Sequence, residues 1–247
     1  MPDIALNSDL LRLVEDKRVA IVGPALYLTG MGRGPKFDRF DIVVRPNEII
    51  PLRHLRCDYG SKTDVMFCNF GTTWIPGIKR KIALDDHVKY FKSLKLVVAS
   101  AIKAHHAETN YLSWPDEHVS SIVKNFSDIN EYDLPFYWIG VRDYKTLYHK
   151  IGVEFNTGIA AISMLLHYPV KEVFVTGFTF YKGGNTYDEL YCEGHMDDID
   201  TKGRGFGWTR GHGELANRRQ LDYFKGLLVS HKDRLRVDNE MKSILSL

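Results

Sequence analysis

The 247-residue chain has the length of one large α/β domain, and its composition excludes several classes of protein. With 44% hydrophobic and 26% charged residues, it can bury a core without disulfide or metal staples. A net charge of +2 gives no argument for nucleic acid or an anionic membrane as a partner. Three cysteines are too few for a disulfide framework, and no apolar run is long enough to span a bilayer. We therefore expect a soluble, cytoplasmic protein without a membrane anchor.

Short apolar runs alternate with helical patterns in the first half of the chain. The patterns predict a helix over residues 6–15 and strands over 18–23, 40–44, 64–67 and 94–100. Pro46 has no amide hydrogen, so the second strand should end at this residue or lie at an edge of the sheet.

The same alternation continues in the second half. The patterns predict helices over 116–126, 157–168 and 214–230, strands over 136–139, 172–176 and 235–237, and a short closing helix. The polar, glycine-rich stretch 182–211 has the length of a lid. The alternation favours a single domain over 1–247, with a mostly parallel sheet of about six or seven strands and helices on both faces.

The stretch 171–187 contains the first candidate ligand site. A buried strand ends at Thr176-Gly177, where a glycine lets the backbone approach a ligand closely. Tyr181 and Tyr187 follow on a glycine-rich loop. Ligands of open parallel sheets bind at the carboxyl ends of the strands, so these two hydroxyls are candidates for holding a phosphate.

Two asparagines stand at the carboxyl ends of neighbouring predicted strands. Asn47 follows the second strand and Asn69 follows the third. A side-chain amide both donates and accepts, which suits ribose hydroxyls or a phosphate ester. A single asparagine in such a place is more often a turn residue, and both interpretations stay open at this stage.

The glycine-rich loop 28–37 does not match a dinucleotide fingerprint. Gly30, Gly32 and Gly34 lie several residues after the first strand, and Pro35 and a second strand soon follow. The fingerprint requires its glycines at the turn from strand to helix. We therefore expect a flexible turn here and no nicotinamide or flavin cofactor.

Two histidines are candidate general bases. His212 precedes the predicted helix 214–230, where the helix dipole favours the neutral, proton-accepting imidazole, and His195 competes with it. Asp198 and Asp200 have a spacing that can hold Mg²⁺ or Mn²⁺, although a solvated loop is the more common explanation of such a pair.

Five segments, in order, resemble the sialyltransferases. Residues 18–47 are similar to the first long motif of the animal-type family, and residues 156–180 to its second, shorter motif. The segments VTGFTFYKGGNTY, DVMFCNF and GHGELANRRQLDYF are similar to parts of the small bacterial sialyltransferases.

The resemblance implies a Rossmann-like α/β/α domain, a GT-A-like variant, that transfers sialic acid from CMP-sialic acid to a glycan hydroxyl with inversion and without a metal or other cofactor. It implies His212 as the base and Tyr181 and Tyr187 as donors to the departing phosphate. The residues expected to hold the nucleotide and the donor sugar are Gly23, Asn47, Asn69, Thr157, Gly158 and Gly177, with the sugar carboxylate at Thr157 and Gly158.

Three alternatives stay open. The donor sugar can be a related sugar acid such as Kdo, because the similar segments contact CMP more than the sugar. The chain can instead be a metal-dependent nucleotide-sugar transferase that uses Asp198 and Asp200. It can also be a CMP-binding protein without catalysis, since Pro24 stands where the family usually has an asparagine. The acceptor, the linkage and the oligomeric state do not follow from the sequence.

Overall fold

The computed structural model describes residues 4–47, 53–69, 90, 92–101, 133–180 and 214–247. Its sheet has seven strands, all of which pair in parallel. The strands are β1 (Arg18–Val22), β2 (Ile42–Pro46), β3 (Val65–Asn69), β4 (Leu96–Ala101), β5 (Phe136–Trp138), β6 (Glu172–Thr176) and β7 (Leu235–Val237). The α/β class and the parallel sheet expected from the sequence are confirmed.

Helices cover both faces of this sheet. In chain order they are α1 (Ser8–Val14), α2 (Gly34–Phe37), α3 (Arg56–Tyr59), α4 (Gly140–Ile151), α5 (Thr157–Leu165), α6 (Glu214–Ser230) and α7 (Asn239–Leu245). Two single 3₁₀ turns, Leu26–Leu28 and Arg53–Leu55, accompany α2 and α3. No described helix is both long and apolar enough to cross a membrane.

The strand order β5-β4-β3-β2-β1-β6-β7 contains one reversal of direction. From β1 the chain adds strands outward to β5, and it then returns to place β6 on the other side of β1. Such a reversal opens a crevice at the carboxyl ends of the two strands that flank it, which is where open α/β sheets bind ligands. In this protein those strands are β1 and β6.

Among the described residues, two apolar clusters, one on each face of the sheet, form parts of the core. Side chains alternate along a strand, so Val19 and Ile21 join the larger cluster while Ala20 and Val22 join the smaller one. The larger cluster contains α5, of which all nine residues are buried against the sheet. The strands are apolar on both faces because helices cover both.

Two local features differ from the expectation or refine it. The helix α4 was not predicted, although Tyr144, Leu147 and Ile151 follow a helical spacing. The second strand begins at Ile42 and not at residue 40, and it ends at Pro46 as expected, inside the sheet. The missing amide hydrogen of Pro46 is tolerated because the register of β2 with β1 already ends at Val44. The predicted helix 116–126 lies outside the described residues.

Candidate functional site

Gly23 and Gly177 bring the ends of β1 and β6 into direct backbone contact. The Gly23 amide donates to the Thr176 carbonyl over 2.8 Å, and the Ala25 amide donates to the Gly177 carbonyl over 3.1 Å. A Cβ on Gly23 would lie 2.3 Å from the Gly177 oxygen, and a Cβ on Gly177 would lie 2.3 Å from the Gly23 oxygen. Gly177 also has φ +80°, a conformation that favours glycine. Both residues must therefore be glycine for this close approach.

The ring of Phe178 packs over the same crevice. Its Cε2 would lie 3.0 Å from a Cβ on Gly23, and its Cε1 would lie 2.2 Å from a Cβ on Gly158. Gly158 is the second residue of α5, so the ring connects the start of this helix to the end of β1. Packing against Phe178 thus accounts for a glycine at position 158, whatever further role the residue has.

Tyr27 and Asp238 hold the end of β6 from the side. The Gly177 amide donates to the Tyr27 hydroxyl over 2.6 Å, and that hydroxyl donates to Asp238 over 3.1 Å. The Thr176 hydroxyl donates to the same carboxylate oxygen of Asp238. Burial, followed by the negative charge of Asp238, raises the pKa of Tyr27 far above its usual value. The Gly177 backbone is therefore held by a neutral phenol that is itself anchored to the N-cap residue of α7.

Asn47 lies at the predicted strand end with part of its side chain unused. The backbone amide of Asn47 donates to the Phe67 carbonyl over 2.5 Å, which continues the pairing of β2 with β3. Its φ of +59° suits the turn interpretation, because asparagine tolerates the left-handed region. Its buried Oδ1, however, has no hydrogen-bond partner within the described part of the chain. A turn alone leaves that oxygen unexplained, whereas a ligand donor would satisfy it.

Asn69 ends β3, beside β2, so the two asparagines occupy neighbouring strand ends as predicted. The register of β3 with β4 shifts between Cys68 and Asn69, which is an irregularity of the kind found at β-bulges.

Thr157 and Gly158 form the first turn of α5, as predicted. Asn156 caps this helix, since its Oδ1 accepts the Ile159 amide over 2.8 Å. Asn156 is in turn held by Gln220 of α6, whose Oε1 accepts the Asn156 amide over 2.9 Å. The first amides of a helix have no intrahelical partner and lie at the positive end of its dipole, so this turn suits an anion.

The glycine-rich loop folds around a carboxylate of the chain itself. The Gly32 amide donates to Asp58 over 2.7 Å, and the hydrogen bond from the Gly30 backbone makes the largest contribution to lowering the pKa of Asp58. Gly30 and Gly32 both have positive φ, and Gly34 packs against the backbone of α3. The loop is therefore an ordered turn whose backbone amides donate hydrogen bonds to the Asp58 carboxylate.

The described part of the chain contains Gly23, Asn47, Asn69, Thr157, Gly158 and Gly177, and the structure places all six at the carboxyl ends of the strands or at the start of α5. The amides of Gly23, Asn47 and Gly177 are used in internal hydrogen bonds. The predicted binding roles stay predictions. Tyr181, Tyr187, His195, Asp198, Asp200, His212 and the predicted lid 182–211 lie outside the described residues.

Sequence reasoning missed four residues that build this site, namely Tyr27, Phe178, Gln220 and Asp238. Asp238 alone had a recognisable pattern, because an aspartate directly before a helical segment is a typical N-cap. The other three act through contacts between distant parts of the chain, which no local pattern shows.

The fold is that of a Rossmann-like α/β protein with a crevice between β1 and β6. No protein-family model matches the sequence, and no curated protein matches it either. Among solved structures, the chain is similar to a mammalian sialyltransferase in complex with Gal-beta-1-3GalNAc-ortho-nitrophenol, with a TM-score of 0.52 and 18% identity over 95% of this chain and 74% of that one. A second mammalian sialyltransferase structure has a TM-score of 0.49 and 19% identity, over 92% of this chain and 70% of the other. The first of these two similarities shows that the chain has a sialyltransferase-like fold.

Proposed function

We propose that this protein is an inverting, metal-independent glycosyltransferase that transfers sialic acid from CMP-sialic acid to a hydroxyl group of a glycan. The observation that carries the proposal is the partnerless Oδ1 of Asn47, beside the crevice of a sialyltransferase-like sheet. This oxygen needs a donor, and a ribose hydroxyl of a nucleotide supplies one. The proposal includes a GT-A-like variant of the fold and CMP-sialic acid as the donor.

The nucleotide and the sugar would occupy adjacent parts of the crevice. Asn47 and Asn69, at the ends of β2 and β3, would contact the nucleoside. The donor would lie in the crevice at the ends of β1 and β6, beside Gly23 and Gly177. The first turn of α5 would receive the carboxylate of the sugar acid, because the helix dipole and the unpaired amides favour a negative charge.

The chemical step exchanges one carbon–oxygen bond for another. The acceptor oxygen attacks the anomeric carbon as the bond from that carbon to the phosphate oxygen breaks. The acceptor proton passes to His212, and the bonding electron pair leaves with the phosphate of CMP. Tyr181 and Tyr187 would donate hydrogen bonds to that phosphate, whose charge grows in the transition state. Attack from the face opposite the leaving group inverts the anomeric configuration.

CMP release from CMP-sialic acid tests the proposal, with Gal-beta-1-3GalNAc as the first acceptor. We expect His212→Ala to lower turnover by about 10²–10⁴-fold, the usual contribution of a general base, while the Kd for CMP stays close to that of wild type. His195→Ala is the matched control and should leave turnover near wild type. The opposite result would transfer the role of base to His195.

The remaining arms of the assay separate the alternatives. Activity that survives EDTA supports the metal-independent reaction, whereas its loss would point to Asp198 and Asp200. Activity with CMP-Kdo and not with CMP-sialic acid would change the donor sugar. CMP binding without CMP release from either donor would support a binding protein, and the absence of both would contradict the proposal.

A further inference from the structure

A buried amide group on α6 points to a second component of the anion site at the start of α5. Gln220 is only 1% exposed, and its Oε1 accepts the amide of Asn156. Its Nε2 is buried and, as far as the described residues extend, makes no hydrogen bond. A buried NH₂ group without an acceptor is unfavourable, because it has lost its hydrogen bonds to water without replacement.

The contact with Asn156 distinguishes the oxygen from the nitrogen of the Gln220 side-chain amide. The Asn156 backbone N–H needs an acceptor, and only the oxygen of the side-chain amide can provide one. Turning the amide over would bring two donors together and lose a 2.9 Å hydrogen bond. Nε2 is therefore the partnerless atom, and it offers donors only.

The position of Nε2 places these donors beside the start of α5. The oxygen and nitrogen of one amide group are about 2.3 Å apart by covalent geometry. Nε2 is thus no more than about 5 Å from the Asn156 nitrogen, in the residue that caps α5. The helix-terminal amides of Thr157 and Gly158 follow Asn156 directly in the chain, so both kinds of donor lie at the start of α5.

Asn217 adds an acceptor one turn earlier on the same face of α6. Residues three apart are neighbours on a helix surface. The Asn217 Oδ1 is also buried and also without a partner inside the described ranges. Gln220 therefore offers donors at the start of α5 and Asn217 offers an acceptor one turn away on α6, a pairing that suits a carboxylate and a more distant hydroxyl group of one sugar acid.

We propose that Gln220 is a donor-binding residue whose Nε2 hydrogen-bonds the carboxylate of the sugar acid at the start of α5, with Oδ1 of Asn217 accepting from a hydroxyl group of the same sugar. This inference rests on the proposed function. It makes Gln220 a specificity residue that distinguishes an acidic sugar from a neutral one. Its Oε1 holds the cap of α5, so one side chain both positions the helix and contacts the ligand.

Equilibrium binding of three probes tests the inference, namely CMP, CMP-sialic acid and the methyl ester of CMP-sialic acid. Wild-type protein should bind the acid at least about tenfold more tightly than the ester, since the ester lacks the charge that strengthens these hydrogen bonds. Gln220→Glu keeps an acceptor for Asn156 and replaces the donors with an oxygen, and Gln220→Met removes both. Either change should lower the preference for the acid by about tenfold, because the hydrogen bond from Gln220 to a charged group is lost while the amides at the start of α5 remain. The Kd for CMP should be unchanged.

The wild-type protein provides a second measurement that needs no variant to fold. The side-chain NH₂ resonance of Gln220 should shift on addition of CMP-sialic acid and stay in place with CMP. A wild-type protein that binds no CMP would refute the proposed function. Normal CMP binding together with an unchanged acid preference in the variants, or with an unmoved Gln220 resonance, would overturn only the role of Gln220.

Discussion

Replacing Gly23 with alanine puts a methyl group between the ends of β1 and β6. The new Cβ would lie 2.3 Å from the Gly177 oxygen and 2.9 Å from its carbonyl carbon, whereas ordinary contacts begin near 3.4 Å. The obstacle is backbone and not the end of a flexible side chain. The two strand ends must therefore separate by about 1 Å, a distance that follows from the forced contact and its ordinary limit.

This separation has two energetic consequences. Forced overpacking costs about 1–3 kcal/mol. The Ala25 amide, 3.1 Å from the Gly177 oxygen, would also lose its acceptor, and a lost hydrogen bond adds about 0.5–1.5 kcal/mol. We expect Gly23→Ala to lower the free energy of unfolding by about 2–4 kcal/mol, or the melting temperature by roughly 5–15 °C for a chain of this size.

Urea unfolding followed by circular dichroism measures the loss, and Gly226→Ala is the control. Gly226 lies inside α6, and apart from its chain neighbours and the backbone of its own helix, no heavy atom of the described residues lies within 4 Å of its would-be Cβ. The same substitution there should raise the stability by about 0.5–1 kcal/mol, because alanine favours helices. A Gly23→Ala variant as stable as wild type would refute the argument that the two strand ends are in contact.

Two further predictions concern the polar contacts beside this crevice. Tyr27→Phe removes the acceptor of the Gly177 amide and a donor to Asp238. We expect urea unfolding to show a free energy of unfolding lower by about 1–3 kcal/mol, and an unchanged midpoint would contradict these contacts. The hydrogen bond from Arg33 lowers the pKa of Glu240 below its ordinary 4.5, so its stabilisation is complete above that pH and is lost as the pH falls through the folded-state pKa. The melting temperature of Glu240→Gln should therefore lie below that of wild type at about pH 7 and approach it as the pH falls below 4.5, whereas a constant difference would exclude this linkage.

Most of the sheet could be predicted from the sequence because strand formation depends on local patterns. A short run such as Val173–Val175, apolar on both faces and closed by Thr176-Gly177, suits a strand covered on both sides. Pro46 marked the end of β2 for an equally local reason, its missing amide hydrogen. The helix α4 was not predicted, although the helical spacing of its apolar residues is visible in the sequence.

Local sequence patterns predicted only part of the candidate site. Asn47 and Asn69 could be placed at strand ends by counting along the chain, and their proximity followed from β2 and β3 being neighbours. The glycine-rich loop was expected to be flexible, yet Asp58 holds it through the Gly32 amide. That carboxylate lies 26 positions further along the chain, and no local pattern links the two.

By itself, the sequence determined the parallel α/β class and the approximate strand ends, since hydrophobic periodicity acts over a few residues. It predicted an approach of a ligand to Gly177 and did not predict the contact of Gly177 with the Gly23 backbone. Only the tertiary structure decided that β6 lies beside β1, which places Gly177 against Gly23, and that Gln220 contacts the cap of α5. Strand order follows from how whole faces are buried and crossovers are closed. The free energies of burial and of crossover closure are sums over the entire chain, so no single segment determines the strand order.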